Sequence, residues 1–280
     1  MAINRLTKNI IIPYRYSKGS IIERQEKSDK LVNNLYKNIK GRFKNDELSL
    51  SELNQCVKEL LPAKVNLIIK SMEENDDFMA YSDLLYSTKT HKIKYITIEL
   101  PTKHNKINIK DLPSLMHEFQ HFTDQQFHPK YLSRNQSITN KNLSTEKYNN
   151  FYENEIYSYE QPESKKDRKY IINRFKQMLN KFLKDFTLEE RLEYIQDSRY
   201  TLQMEDKAYF TQQKYAKRMN KQHLQTNPED LLKENDNFMF SEKIAILKEL
   251  GFDTLYKIRT NHKRELNKLK KAKAKNIENK

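Results

Sequence analysis

Two neighbouring stretches, FMAYSDLLY at 78–86 and KIKYITIEL at 92–100, are patterned as β-strands, whereas most of the chain is patterned as helix. Both runs are rich in aromatic and β-branched residues, and the polar STKTH between them predicts a hairpin turn. In the second run Ile96, Ile98 and Leu100 fall on one side and Tyr95, Thr97 and Glu99 on the other, and Pro101 ends it. NIIIPYR at 9–15 predicts a short strand that Pro13 confines to an edge, and VNLIIKSM at 65–72 fits strand or helix. With three glycines and seven prolines the chain is too poor in both for a loop-rich sandwich or a glycine-rich nucleotide fold. The expected class is α+β, with a small antiparallel sheet followed by a largely helical C-terminal region.

The helical pattern starts at Ile21 and runs to about Lys44, with Leu31, Leu35 and Ile39 four apart. A second helix is expected over about 50–61, capped by Ser51 and ended by Pro62. Residues 127–146 are polar and rich in Asn and Ser, residues 146–160 look helical, and helix dominates from 167 onward. Pro228 breaks that last pattern and Gly251 is expected to cap a helix. This divides the chain into an α+β core over 1–165, a helical region over 166–260 packing on it, and a basic tail over 261–280.

Directly after the expected hairpin comes DLPSLMHEFQHFTDQQ. Asp111 can cap this helix, Pro113 is tolerated in its first turn, and the helix is expected to reach about Gln126. At about 100° per residue His117 and His121 share one face, with Glu118 beside them. Leu115, Phe119 and Phe122 cluster on the other side and give the helix something to bury. Two imidazoles one turn apart can converge on a zinc ion, which takes a third protein ligand and leaves a position for water. A neighbouring glutamate can then accept the proton of that water as it attacks a carbonyl.

A third histidine in the spacing HExxHxxGxxH is ruled out, because Asp124 and Phe127 occupy the Gly and His positions. In YNNFYENEIYSYE at 148–160, Tyr148, Phe151, Tyr152, Ile156 and Tyr159 form an aromatic stripe with Glu155 in its middle. A carboxylate in a buried stripe is costly unless it is paired or bound to metal. A rival is Glu205 in RYTLQMEDKAYF at 199–210, which also lies in a partly apolar helical pattern. His223, Tyr152 and Tyr157 are candidates for stabilising an oxyanion.

HEFQH followed by a helical Glu155 within NEIYS resembles the gluzincin group of zinc metallopeptidases, whose thermolysin-like members carry HExxH and then NExxSD. The likeness covers roughly 93–160, and Tyr159 stands where the motif ends in Asp. It implies a zincin-like core, a Zn2+ cofactor held by His117, His121 and Glu155, and Glu118 as general base in peptide hydrolysis. It also implies that the strand 92–100 is the sheet edge on which an extended protein or peptide substrate pairs. Asp124, two turns after His117 on the same face, would orient a ligand histidine in place of the missing Asp.

Charge points less sharply. The chain carries 52 basic residues, 40 of them Lys, against 38 acidic ones, for a net charge of +14. The two signs are interleaved nearly throughout, as a solvated lysine-rich surface requires. NHKRELNKLKKAKAKNIENK at 261–280 is the strongly basic exception, expected as a solvated helix end and, at most, a sequence-independent nucleic-acid contact. Cys56 is the only cysteine, so no intrachain disulfide forms and a reducing compartment is expected. The Ile10–Ile12 run is too short for a signal core or a membrane span, so a cytoplasmic protein without membrane association is expected. Two further readings compete with a peptidase. One is a non-enzymatic structural or interaction protein, such as a virus or phage particle component; the other is a basic protein associated with nucleic acid.

Overall fold

In the computed structural model, residues 18–61, 67–72, 81–86, 93–127, 162–222 and 239–278 are described. They contain α1 (Lys18–Ile39), β1 (Glu47–Ser49), α2 (Leu50–Leu60), β2 (Leu67–Ser71), β3 (Tyr81–Tyr86), β4 (Ile93–Leu100) and β5 (Lys106–Asn108). After a short 3-10 turn follow α3 (Leu112–Phe127), α4 (Lys165–Phe182), α5 (Leu188–Asn220) and α6 (Phe240–Glu278). The chain forms two units, Met1–His128 with Thr211–Pro228, and Pro129–Phe210 with Glu229–Lys280. The strands at 9–15 and the helix at 146–160 expected from sequence lie outside the described residues.

The first unit is α+β. β3 and β4 pair antiparallel, Tyr81 opposite Glu99 and Leu84 opposite Ile96, as the hairpin pattern predicts. β2 resolves the ambiguous 65–72 segment as a strand, and it pairs parallel to β4, from Leu67 opposite Ile96 to Ser71 opposite Leu100. The sheet is therefore mixed rather than purely antiparallel: β3 lies between β2 and β4 in the chain and runs against β4, so β2 and β4 run in the same direction. The order β2-β4-β3 also corrects the expectation that 92–100 is an edge: β4 is the central strand, with a neighbour on each side.

The outer edge of β2 is closed by a side chain. The Asn54 Nδ2 of α2 donates to the Ile69 carbonyl at 2.8 Å, and the Ile69 N–H donates to Asn54 Oδ1 at 2.9 Å. The carboxamide thus makes the two bonds that another strand would make. Replacing Asn54 with Ala is expected to cost about 1–3 kcal/mol, since both backbone groups lose their partner. Urea denaturation measures this, and an unchanged midpoint would rule out the capping role.

A second, two-stranded sheet joins β1 to β5, with Glu47 opposite Asn108 and Ser49 opposite Lys106. Two tight turns flank it, Asn45-Asp46 and His104-Asn105, and all four residues have φ between 50° and 61°. Asn and Asp tolerate this left-handed region better than most residues, and paired positive φ values suit two-residue hairpin loops. Ser49, not Ser51, caps α2: its Oγ accepts from the Glu52 N–H at 3.2 Å and donates to the Glu52 carboxylate at 2.7 Å. The strand runs to Ser49 and the helix starts at Leu50, as its apolar spacing predicts, so the capping serine stands two residues before Ser51.

The core of this unit gathers Val32, Leu35 and Ile39 of α1, Leu53 and Val57 of α2, Ile69, Ile98 and Leu100 of the sheet, and Leu115, Phe119 and Phe122 of α3. Tyr215 and Met219, from the last turns of α5, belong to the same core.

The second unit is helical in its described part. Ser164 caps α4 through the Asp167 N–H, and Thr187 with Glu190 forms the reciprocal cap of α5. Its core holds Phe175, Leu179, Tyr194, Ile195, Leu202 and Leu247, and the Tyr194 ring lies 5.1 Å from that of Phe182. Arg168 of α4 pairs with Glu242 of α6. Gly251 does not cap a helix but lies inside α6, where packing of the flanking turns overrides its weak helical propensity. The basic 261–280 segment continues α6 to Glu278, and residues 261–269 are exposed, as a solvated helix end requires. No described helix is long and apolar enough to cross a membrane.

Candidate metal centre

Helix α3 is held ahead of its first turn and along its length. Before it, the Ile109 N–H donates to the Asp46 carbonyl at 2.8 Å and Asn108 Oδ1 accepts from the Lys110 N–H. Along it, Leu115, Phe119 and Phe122 are fully buried, with the two phenylalanine rings 5.2 Å apart. The helix is buried on its polar side too, from Met116 to Asp124, so His117 and His121 are core residues rather than surface ones, at 8% and 7% exposure.

The two histidines aim at one point. Their Nε2 atoms are 3.1 Å apart, and the rings meet edge to face at 75°. Two ring nitrogens on one tetrahedral ion, with bonds of about 2.0–2.1 Å, stand about 3.3 Å apart. The observed spacing matches that, and without a proton or cation between them the two lone pairs would repel. The Glu205 carboxylate completes the group: a ligand atom of each of His117, His121 and Glu205 lies within 4.8 Å of the others. Two imidazoles and a carboxylate in a mostly buried setting form a donor set close enough to bind a metal ion.

Of the two carboxylates that the sequence offers as third ligand, Glu205 is among the described residues and has a ligand atom near those of the histidines. Glu155 lies outside the described residues, as do Tyr152, Tyr157 and His223. Glu118 is outside the three-residue group and is 7% exposed, and no hydrogen bond or ion pair among the described residues engages its carboxylate.

Asp124 joins a buried polar network that spacing alone did not suggest. Its Oδ1 accepts from Gln120 Nε2 at 3.2 Å and from the Ser28 hydroxyl of α1 at 3.4 Å. Gln120 Nε2 also donates to Ser28 Oγ at 2.9 Å and approaches Thr123 Oγ1 at 3.2 Å, while Ser28 and Thr123 are 2.7 Å apart. The other end of the same amide, Oε1, accepts from the Thr211 hydroxyl of α5 at 3.1 Å. The only sequence signal for this network was the density of small polar residues in HEFQHFTD, on a helix that already had an apolar side to bury.

The end of α5 is fixed against α1. Tyr215 stacks on Tyr36 with ring centroids 4.6 Å apart, the Arg218 guanidinium lies over the Tyr215 ring, and Arg218 donates to Asn33 Oδ1 at 2.8 Å. Burial pushes the Tyr215 phenol up to about 12, against the opposing pull of the Arg218 charge. A folded value above the unfolded one near 10 means stability is complete below about pH 10 and falls as pH rises towards 12, where only the unfolded chain ionises. Tyr215→Phe is therefore expected to flatten the loss of stability between pH 10 and 12. Denaturant midpoints across that range check this, and an equally steep loss in the variant would contradict it.

The chain matches no protein-family model, no curated protein and no solved structure.

Proposed function

We propose that this protein is a zinc-dependent metallopeptidase of the HExxH kind, with His117, His121 and Glu205 as metal ligands and Glu118 as general base. The observation that carries the reading is the convergence of two imidazole Nε2 atoms, 3.1 Å apart, on a carboxylate from a helix far along the chain. Within HEFQH this places a base candidate directly beside the ligands.

Bound there, zinc would supply Lewis acidity to a water and to the carbonyl of the substrate. Glu118 would hold that water by hydrogen bond, accept its proton as the carbonyl is attacked, and pass the proton to the leaving amine. No described residue holds its carboxylate by hydrogen bond or ion pair, which leaves it available for that exchange. An extended substrate that pairs with the sheet would do so at β3, because Asn54 closes β2 and β4 is central.

The likeness to gluzincins is kept in part. HEFQH and a helical Glu ligand fit that group, but Glu205 follows His121 at a much longer interval than Glu155 does.

The test is metal content. The purified chain, dialysed against a slight excess of zinc and then desalted, should retain one equivalent. His117→Ala should lower its zinc affinity by more than the roughly 10–100-fold that losing an outer partner costs. Wild-type protein that retains no zinc would end this reading.

A further inference from the structure

We propose that Gln120 is a positioning residue for the metal centre: its amide holds helix α5, through Thr211, in the register that brings Glu205 to His117 and His121. The inference rests on the metal-site reading above and adds to it the device that sets the third ligand.

Glu205 reaches the site from a helix far away in sequence, so something must fix where that helix lies along and about its own axis. Glu205 precedes Thr211 by less than two turns of one unbroken helix, Leu188–Asn220. Rotation about the axis is the sensitive coordinate. A slip of one residue moves a helical side chain by about 1.5 Å along the axis and about 100° around it, enough to take a carboxylate off a shared ion. The Gln120–Thr211 bond, 3.1 Å long and buried, resists that slip.

The chemistry of the network explains why an amide stands at 120. Its NH2 faces three acceptors, Ser28 Oγ, Thr123 Oγ1 and Asp124 Oδ1, which leaves its oxygen for the Thr211 hydroxyl. The reverse orientation would put the amide oxygen against the Asp124 carboxylate. A glutamate there would do the same with a full charge, and an apolar residue would make neither set of bonds. Ser28 extends the anchor to α1, so α3 and the end of α5 are referred to one rigid element.

The experiment compares wild type, Thr211→Val and Thr211→Ser as full-length proteins. Valine keeps the volume and loses the hydroxyl; serine keeps the hydroxyl and loses the methyl. Zinc affinity is read by competition with a chromogenic chelator, and ligand geometry by the visible absorption of the Co2+-loaded protein. The expected result is a roughly 10–100-fold loss of affinity and an altered Co2+ spectrum in Thr211→Val, both restored in Thr211→Ser. A merely structural role for Thr211 would lower the melting temperature and leave the spectrum alone. Should Thr211→Val fail to fold, Gln120→Met removes the same bond from the other side. Wild-type affinity and spectrum in the variant lacking the bond would overturn the proposal and leave the metal site standing, as would a serine variant as weak as the valine one. A wild-type protein that binds no metal overturns both.

Discussion

Glu118→Gln is expected to abolish nearly all peptide hydrolysis while leaving zinc bound. Glu118 is not one of the three residues whose ligand atoms converge, so its removal takes nothing from the metal. It follows His117 directly in the chain and its carboxylate is unengaged among the described residues, and the amide that replaces it has the same shape but cannot accept a proton. Loss of a general base typically costs 10²–10⁴-fold in rate, and the expected fall in kcat lies in that range. The measurement is hydrolysis of an unstructured protein substrate by the zinc-loaded variant and wild type, with metal content determined on the same samples. A variant that cuts as fast as wild type would remove Glu118 from the mechanism. A variant that loses its zinc would show that the residue holds the site together instead.

The second large effect is structural. Phe119 is 0% exposed and stacks on Phe122 across the buried side of α3, between the two histidines in sequence. Phe119→Ala removes that ring from a close-packed core and is expected to cost about 3–5 kcal/mol, from lost burial and from the cavity left behind. Against a total stability of about 5–15 kcal/mol for a typical domain, that is a large fraction. Chemical denaturation of the first unit, followed through its tyrosines, reads the change. The same substitution should weaken zinc binding, because α3 would no longer be pressed into one position. A loss below about 1 kcal/mol would mean that α3 does not bury this face.

Much of the site was legible in one dimension because it lies on one helix. His117 and His121 are one turn apart, and Leu115, Phe119 and Phe122 fall on the opposite side, so local periodicity alone supplies both the ligand pair and the reason it stays put. The β3–β4 hairpin was equally legible, since alternation and a polar turn are local signals. Misreadings came where a local rule met a tertiary one. Gly251 looked like a cap and lies inside α6, where the packing of neighbouring turns outweighs about 1 kcal/mol of propensity. Ser51 looked like a cap, but β1 ends at Ser49 and the preceding serine takes the role.

The amino-acid sequence by itself determined the α+β class, the HEFQH helix with its two imidazoles and adjacent carboxylate, and the basic helix end, because each depends on residues within a few turns of one another. It left two carboxylates, Glu155 and Glu205, as contenders for the third place. Only the tertiary structure brought Glu205 to the histidines, made β4 the central strand, and joined Gln120 to Ser28 and Thr211. Those outcomes depend on how segments far apart in the chain pack together, and no periodicity within a single segment encodes them.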